Sequence, residues 1–171
     1  MQQIRWFDRK FNFDTNQNIF PSIIERLSDT PLRMENKFRF LTPSILRVNI
    51  NGTWSIQENL GHLIDLEPLW CMRLEELRNG ALELSPADLQ NTKTHMANHN
   101  DSKVDELLNT FRTVREKTVS LIEHIDEELV FRSALHPRLK TPMRTMDLFL
   151  FVAEHDDHHL ARISELAKII D

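Results

Sequence analysis

The stretch FLFVAEHDDHHLARISELAKII, residues 149–170, decides how the rest of the chain reads. With Leu148 just ahead of it, Val152, His155, His159, Ile163, Leu166 and Ile170 recur at steps of three and four, the spacing of one face of an α-helix. His155 and His159 therefore fall on a stripe that is otherwise apolar. Two imidazoles one helical turn apart can converge on a single point without distorting the backbone, as paired helical histidines do around a metal. The other reading of the pair is two hydrogen-bonded core histidines, or two that lie on a wet edge. A metal would need a further ligand from elsewhere, and the best placed is His62 in WSIQENLGHLIDLE, residues 54–67, which reads as a second long helix.

The remainder of the chain supports a helical protein. It has 171 residues, enough for one domain with a sizeable core, and only 3 glycines, too few for the turns of a sandwich or barrel. The fold class expected is all-α. A net charge of −5 without any Lys/Arg cluster gives no footprint for a phosphate backbone, so nucleic acid is not expected as a partner. The N-terminal residues mix aromatics with charges, and no apolar run approaches membrane-spanning length. A cytoplasmic protein without a membrane partner is the expectation. The single cysteine, Cys71, excludes an internal disulfide and reads as a small hydrophobe beside Trp70.

Taken in order, residues 1–16 read as an arm whose Trp6, Phe7, Phe11 and Phe13 pack onto a bundle domain at 17–171. A first helix over Gln17 to Leu27 is followed by Thr30-Pro31, read as the start of a separate helical segment, so that the first wall of the bundle is broken. Ser55 and Glu58 form an S-x-x-E capping box, and Gly80 closes a helix over Ile56 to Asn79. Within it Pro68 predicts a kink. Residues 81–100, with His95 and His99, read as a polar surface connection. A third helix spans Asp101 to His124 with its seam on Val104, Leu107, Phe111, Val114, Thr118, Leu121 and Ile125. Arg112, Arg115 and Glu116 then fall on a solvated face. Residues 126–140 read as a mixed connection, and the last helix starts near Thr145 or Met146. Long helices joined by two long connections suit a four-helix bundle, whose metal sites are built from inward-facing side chains of neighbouring helices.

Several short motifs in this order resemble the DinB-like superfamily, especially its YfiT-like metal-dependent hydrolase branch. They are Thr53-Trp54-Ser55 with Glu58, Gly61-His62-Leu63 with Glu67, His136-Pro137-Arg138-Leu139, and Glu154 through Ile163. The resemblance implies an up-down-down-up four-helix bundle, often homodimeric. It also implies one divalent metal per chain on the positions of His62, His155 and His159. Pro68 inside the second helix, and Arg162 where related sequences often carry glutamine, are departures from the pattern. The superfamily includes thiol-dependent transferases as well as proteins without a demonstrated reaction, so the resemblance leaves the substrate open.

The chemistry of such a site follows from its donors. Three neutral imidazoles leave a coordination position where water, a thiolate or a carbonyl can be activated. Imidazole suits zinc and nickel among the divalent metals. Glu58 and Asp65, one turn either side of His62, are candidates to orient an imidazole or to act as a base, against a capping carboxylate and a solvated helix residue. His158 lies off the stripe by helical phase, beside the site or at the surface. Arg162 could meet an anionic substrate, or form a surface ion pair. The function expected is a metal-dependent hydrolase or a low-molecular-weight thiol S-transferase acting on a small molecule. The alternative is a non-catalytic, metal-stabilised dimeric bundle acting in partner binding.

Overall fold

The structure, a computed structural model, describes residues 3–170; residues 1, 2 and 171, the ends of the expected arm and bundle domain, lie outside the described residues. Four long helices carry the fold: α1 (Phe20–Phe38), α3 (Ile56–Arg78), α5 (Val104–Ile122) and α7 (Thr145–Ile170). Between them lie the short helices α2 (Pro43–Leu46), α4 (Thr92–Met96) and α6 (Glu127–Phe131), and a hairpin of β1 (Ser133–Leu135) with β2 (Pro142–Arg144). The order of side-chain contacts fixes the directions. Arg26 bonds Glu154 and Lys37 bonds Ser164, so α1 and α7 run parallel; Glu67 bonds Arg115 and Cys71 meets Thr118, so α3 and α5 do too. Asn59 meets His159 while Trp70 meets Phe151, which sets α3 antiparallel to α7. The bundle is therefore up-down-down-up. No described helix is long and apolar enough to cross a membrane.

The heads of α3 and α7 follow from local chemistry. The Ser55 hydroxyl accepts the Glu58 amide while the Glu58 carboxylate accepts the Ser55 amide, the reciprocal box that satisfies two orphan donors at the head of α3. Its other end turns at Gly80, whose φ of 73° is left-handed, and the Ala81 amide reaches back to the Glu76 carbonyl. Helix α3 passes through Pro68 as one element. The head of α7 is held by Asp147, which accepts the Arg144 amide and its guanidinium.

The core has two apolar halves. One gathers Phe20, Leu27, Trp70, Leu74, Phe149 and Val152; the other gathers Met34, Leu60, Leu63, Phe111, Leu160 and Ile163. Between them, at the middle of every long helix, lies a polar layer. Arg115 on α5, 1% exposed, donates to Glu67 on α3 through Nε and Nη2 at 2.8 and 2.6 Å. It also donates to both oxygens of Asp156 on α7. Thr118 donates to Glu67, and the Thr30 hydroxyl of α1 lies 3.1 Å from Asp156 Oδ2. Burial opposes the guanidinium charge, but the two carboxylates outweigh it and hold Arg115 above its usual pKa.

This layer corrects three expectations. Arg115 is not on a solvated face: the buried positions of α5 are Leu107, Phe111, Arg115, Thr118, Val119 and Ile122, so the stripe runs through the arginine. Nor does Pro31 break the first helix, because α1 is continuous across it. Proline removes the amide that would bond the Leu27 carbonyl, and Arg115 Nη1 approaches that carbonyl at 3.4 Å instead. Residues 81–100 are not merely a surface connection, since Thr94 and His99 are buried against α3.

Removing one partner of a buried ion pair leaves an uncompensated charge and costs about 3–5 kcal/mol, whereas an exposed pair contributes about 0–1 kcal/mol. Glu67→Gln is therefore expected to lower unfolding stability by about 3 kcal/mol or more. Glu128→Gln, which breaks the exposed pair with Arg132 on α6, is expected to change it by less than about 1 kcal/mol. Urea unfolding of both variants checks the contrast, and equal losses would contradict this account of the layer.

Candidate metal centre

The antiparallel packing of α3 on α7 brings His62 to the pair on α7. Ligand-capable nitrogens of His62, His155 and His159 all lie within 4.8 Å of one another, and all three residues are buried. Ring centroids are 5.3 Å apart for His62 and His155, 5.0 Å for His62 and His159, and 4.5 Å for His155 and His159.

Neighbouring polar groups fix two of the tautomers. Asn59 donates its amide nitrogen to the Ser55 carbonyl at 2.8 Å, so its Oδ1 faces His159 Nδ1 at 2.8 Å as an acceptor. His159 thus carries its proton on Nδ1 and bares Nε2. Facing α3, Thr94 of α4 spends its hydroxyl hydrogen on Asp65 Oδ2 at 2.9 Å, so its oxygen accepts from His62 Nδ1 at 3.1 Å. His62 therefore bares Nε2 as well. The line continues, because Asp65 Oδ2 also accepts His99 Nε2 at 2.8 Å. Burial raises the Asp65 pKa, but the bonds from His99 and Thr94 outweigh it and the net shift is downward.

His155 is held differently. Its Nε2 lies 3.2 Å from His159 Nε2, while its Nδ1 is buried without a partner. Two bare imidazole nitrogens repel at that distance, so one proton must sit between them in the free chain. A tetrahedral ion with Zn–N bonds of about 2.0–2.1 Å separates its ligands by roughly 3.3–3.4 Å. The observed spacing fits a cation in place of that proton. Burial pushes the His62 pKa down to about 4 and holds His155 and His159 well below the ordinary imidazole range. All three are neutral at pH 7, as metal ligands must be.

The other candidates separate cleanly. Glu58 is committed to the capping box and to Asn49 Nδ2 at 2.6 Å, away from the three rings. Asp65, expected to be a solvated helix residue or an orienting group, has a side chain only 7% exposed and orients His62 through Thr94. His158 is half-buried on the cavity wall beside Trp6, outside the group of three. Arg162 also lines the cavity, paired with Glu165 at 2.6 Å and donating to Thr53 Oγ1 at 3.0 Å.

Sequence reading missed most of the surroundings. His99 is buried because Gly61 gives it room: a Cβ at Gly61 would lie 2.2 Å from the His99 ring. The signal available was Gly61 itself, a helix-weakening residue in the middle of a strong helix, which points to a close approach. Trp6 from the arm packs edge-on to His155 with centroids 4.7 Å apart, and Trp54 lies 4.6 Å from His62. The histidines line a cavity of about 710 Å³ whose other walls include Trp70, Phe151, Arg73 and Arg138. Its volume falls in the range of clefts able to hold a small molecule.

Several solved structures share this architecture. YfiT from Bacillus subtilis, named as a probable metal-dependent hydrolase with an unusual four-helix bundle topology, superposes with a TM-score of 0.80 at 19% identity, covering 94% of this chain and 93% of that one. A protein from Streptococcus pneumoniae gives a TM-score of 0.70 at 12% identity over 91% and 93% of the two chains. The colibactin self-resistance protein ClbS, whose structure holds double-stranded DNA, gives 0.68 at 14% over 90% and 98%. At these identities the likeness is one of fold. No curated protein sequence matches the chain. The sequence model of the DinB superfamily, however, matches residues 12–163, which take in α1, α3, α5, the larger part of α7 and the three histidines; this chain belongs to that superfamily.

Proposed function

We propose that this protein is a metal-dependent enzyme acting on a small molecule, with one divalent ion, zinc or nickel, held by Nε2 of His62, His155 and His159. The observation that carries the reading is the tautomer control. Asn59 and the Thr94–Asp65 line turn two bare nitrogens toward one point, which a packing role for these histidines would not require. An ion on three imidazoles supplies Lewis acidity, lowering the pKa of a coordinated nucleophile at its open position. The chain's own residues then do the rest. Trp6 packs against His155 and Trp54 against His62, both on the wall of the cavity. The 710 Å³ cavity admits a substrate to them, which argues against a closed, purely structural ion.

Whether the nucleophile is water or a thiol is decided by proton transfer. Each carboxylate near the three histidines already has partners: Glu58 in its cap, Asp65 with Thr94 and His99, Glu67 and Asp156 with Arg115, and Glu165 with Arg162. Hydrolysis benefits from a positioned base, whereas a thiol with a pKa of about 8.5 ionises near neutrality with little help. This engagement favours S-transfer from a low-molecular-weight thiol as the second reading beside hydrolysis.

Metal analysis of the purified protein is expected to give about one divalent ion per chain, since the three imidazoles form one site. His159→Ala should lose most of it and His158→Ala should keep it; equal loss in both, or none in either, would remove the assignment. Asp65→Asn is expected to weaken the ion's affinity by about 10-fold or more, the usual effect of deleting an outer partner of a ligand. Competition with a chromophoric chelator measures this, and unchanged affinity would show that the Thr94–Asp65 line does not hold His62. Turnover should depend on the ion and survive Cys71→Ser. Ester and amide hydrolysis without added thiol, set against conjugation of a small electrophile with thiol present, separates the two reactions. A metal-loaded sample inert in both would end the catalytic reading.

A further inference from the structure

One wall of the cavity carries hydrogen-bond donors without acceptors. His136 accepts the backbone amides of Arg138 and Leu139 on Nδ1, at 3.2 and 3.1 Å. Its ring proton is therefore on Nε2. That nitrogen lies 3.4 Å from Arg73 Nη1, which always carries hydrogen, so two donors face each other and cannot bond. An acceptor placed beside both would satisfy both. Arg138, two residues on, lies with its guanidinium carbon 5.2 Å from the Phe7 ring centroid and 5.9 Å from that of Phe151. His136 packs on the same Phe151 ring at 5.6 Å. Arg138 Nη2 is buried and has no partner.

These cations also lack counter-charges. Among the described residues neither Arg73 nor Arg138 pairs with a carboxylate, although Arg73 is 1% exposed. Arg73 spends Nε and Nη2 on the Ser85 carbonyl at 3.0 and 2.8 Å. The nearest acid is Glu76, one turn away and bonded to Ser85, which acts on Arg73 only through space. Two guanidinium charges against one carboxylate leave a single positive charge. Burial lowers the pKa of Arg73 to about 10 and that of Arg138 below its usual value, the sign of cations removed from water without compensation. Leaving such groups unpaired is costly unless a ligand completes them.

We propose that Arg73, His136 and Arg138 form a carboxylate-binding subsite, which orients a small organic acid in the cavity with its other end at the three histidines. A carboxylate matches the wall in charge and in shape. It is a monoanion, its two oxygens can be shared between the Arg73–His136 pair and Arg138, and planar guanidinium groups recognise it well. The apolar body of the acid would lie against Phe151, Trp70 and Trp6. This inference rests on the reading of the cavity as a substrate site, but it is measurable without the ion.

The test is calorimetric titration with 4-phenylbutanoate and its neutral isostere 4-phenylbutanamide, on metal-loaded and on chelator-stripped protein. The acid is expected to bind both forms at least about tenfold more tightly than the amide, as charge-assisted bonds outweigh neutral ones. Arg138→Gln is expected to remove that preference and leave the amide unaffected. Arg138→Met keeps the apolar stem over Phe7 and Phe151, serves if the first variant is unstable, and should behave alike. If wild-type protein shows no preference for the acid, or does not bind it, the subsite is refuted. It is refuted too if the preference for the acid survives both substitutions; where it then disappears on stripping, the carboxylate is on the ion. A protein that takes up no metal yet keeps the Arg138-dependent preference would refute the metal assignment and support this subsite.

Discussion

Arg115 is the group around which the bundle is arranged. A guanidinium buried in the middle of a four-helix bundle survives only if its donors and its charge are answered from all sides. The answers come from Glu67 on α3, Asp156 on α7 and the Leu27 carbonyl of α1. Each of the other three long helices is thereby held in register against α5 at one height. The contact with Leu27 also explains how α1 tolerates Pro31, since the carbonyl that proline orphans meets a cation instead of water. Buried ion pairs are weak contributors to net stability when set against apolar replacements, and their best-attested use is to specify register. That use fits here, because Asp156 follows His155 directly and Glu67 lies on the helix of His62. Slippage of α3 against α7 would separate the three imidazoles.

A longer polar line performs the same service for orientation. His62 is aligned by Thr94, Thr94 by Asp65, and Asp65 by His99, so groups from α3, α4 and the turn after it share one set of hydrogens. The turn can approach α3 only because residue 61 is glycine. Outer partners of this kind fix the ring nitrogen that carries the proton, which side-chain placement alone does not do. His159 receives the same treatment from Asn59, whose amide is itself pinned to the first turn of α3. The capping box at Ser55 and Glu58 therefore matters to the site indirectly: it stabilises the turn whose carbonyl orients Asn59.

How far the sequence could be read depended on whether one helix or several carried the signal. The stripe on α7 and the capping box of α3 follow from periodicity and local rules and are present in the structure; that His62 lies beside His155 and His159 was implied by the family resemblance, and the three side chains do lie together. The failures share a different cause. Arg115 was placed in solvent because a charge is ordinarily exposed, and only its partners on other helices overturn that. Pro31 looked like a break because its compensating donor is more than 80 positions away along the chain. His99 looked like a loop residue because the space beside Gly61 exists only after folding. The hairpin of β1 and β2 is three residues per strand, too short for alternation to be visible. Trp6 packs on Phe151 and His155, and nothing local in the sequence says that its partners are these.

Apart from Gln57 Oε1 and Thr145 Oγ1, which lack partners away from the cavity, two sets of buried polar groups in this bundle differ in a way that bears on what they are for. Arg115, Glu67, Asp156 and Thr118 satisfy one another within the protein, and Arg115 and its two carboxylates offer nothing to a ligand. The cavity wall is the opposite: Arg138 Nη2 and His155 Nδ1 have no partner, and His136 Nε2 faces another donor. Selection for stability alone favours the first arrangement, since each unsatisfied buried group costs about 1–3 kcal/mol. Groups that break the rule together, around a single cavity and beside three aligned imidazoles, carry a free-energy penalty that a bound molecule can relieve. A satisfied layer holds the register, and the unsatisfied groups next to it line the cavity. The two can be told apart by counting donors against acceptors, without reference to any relative.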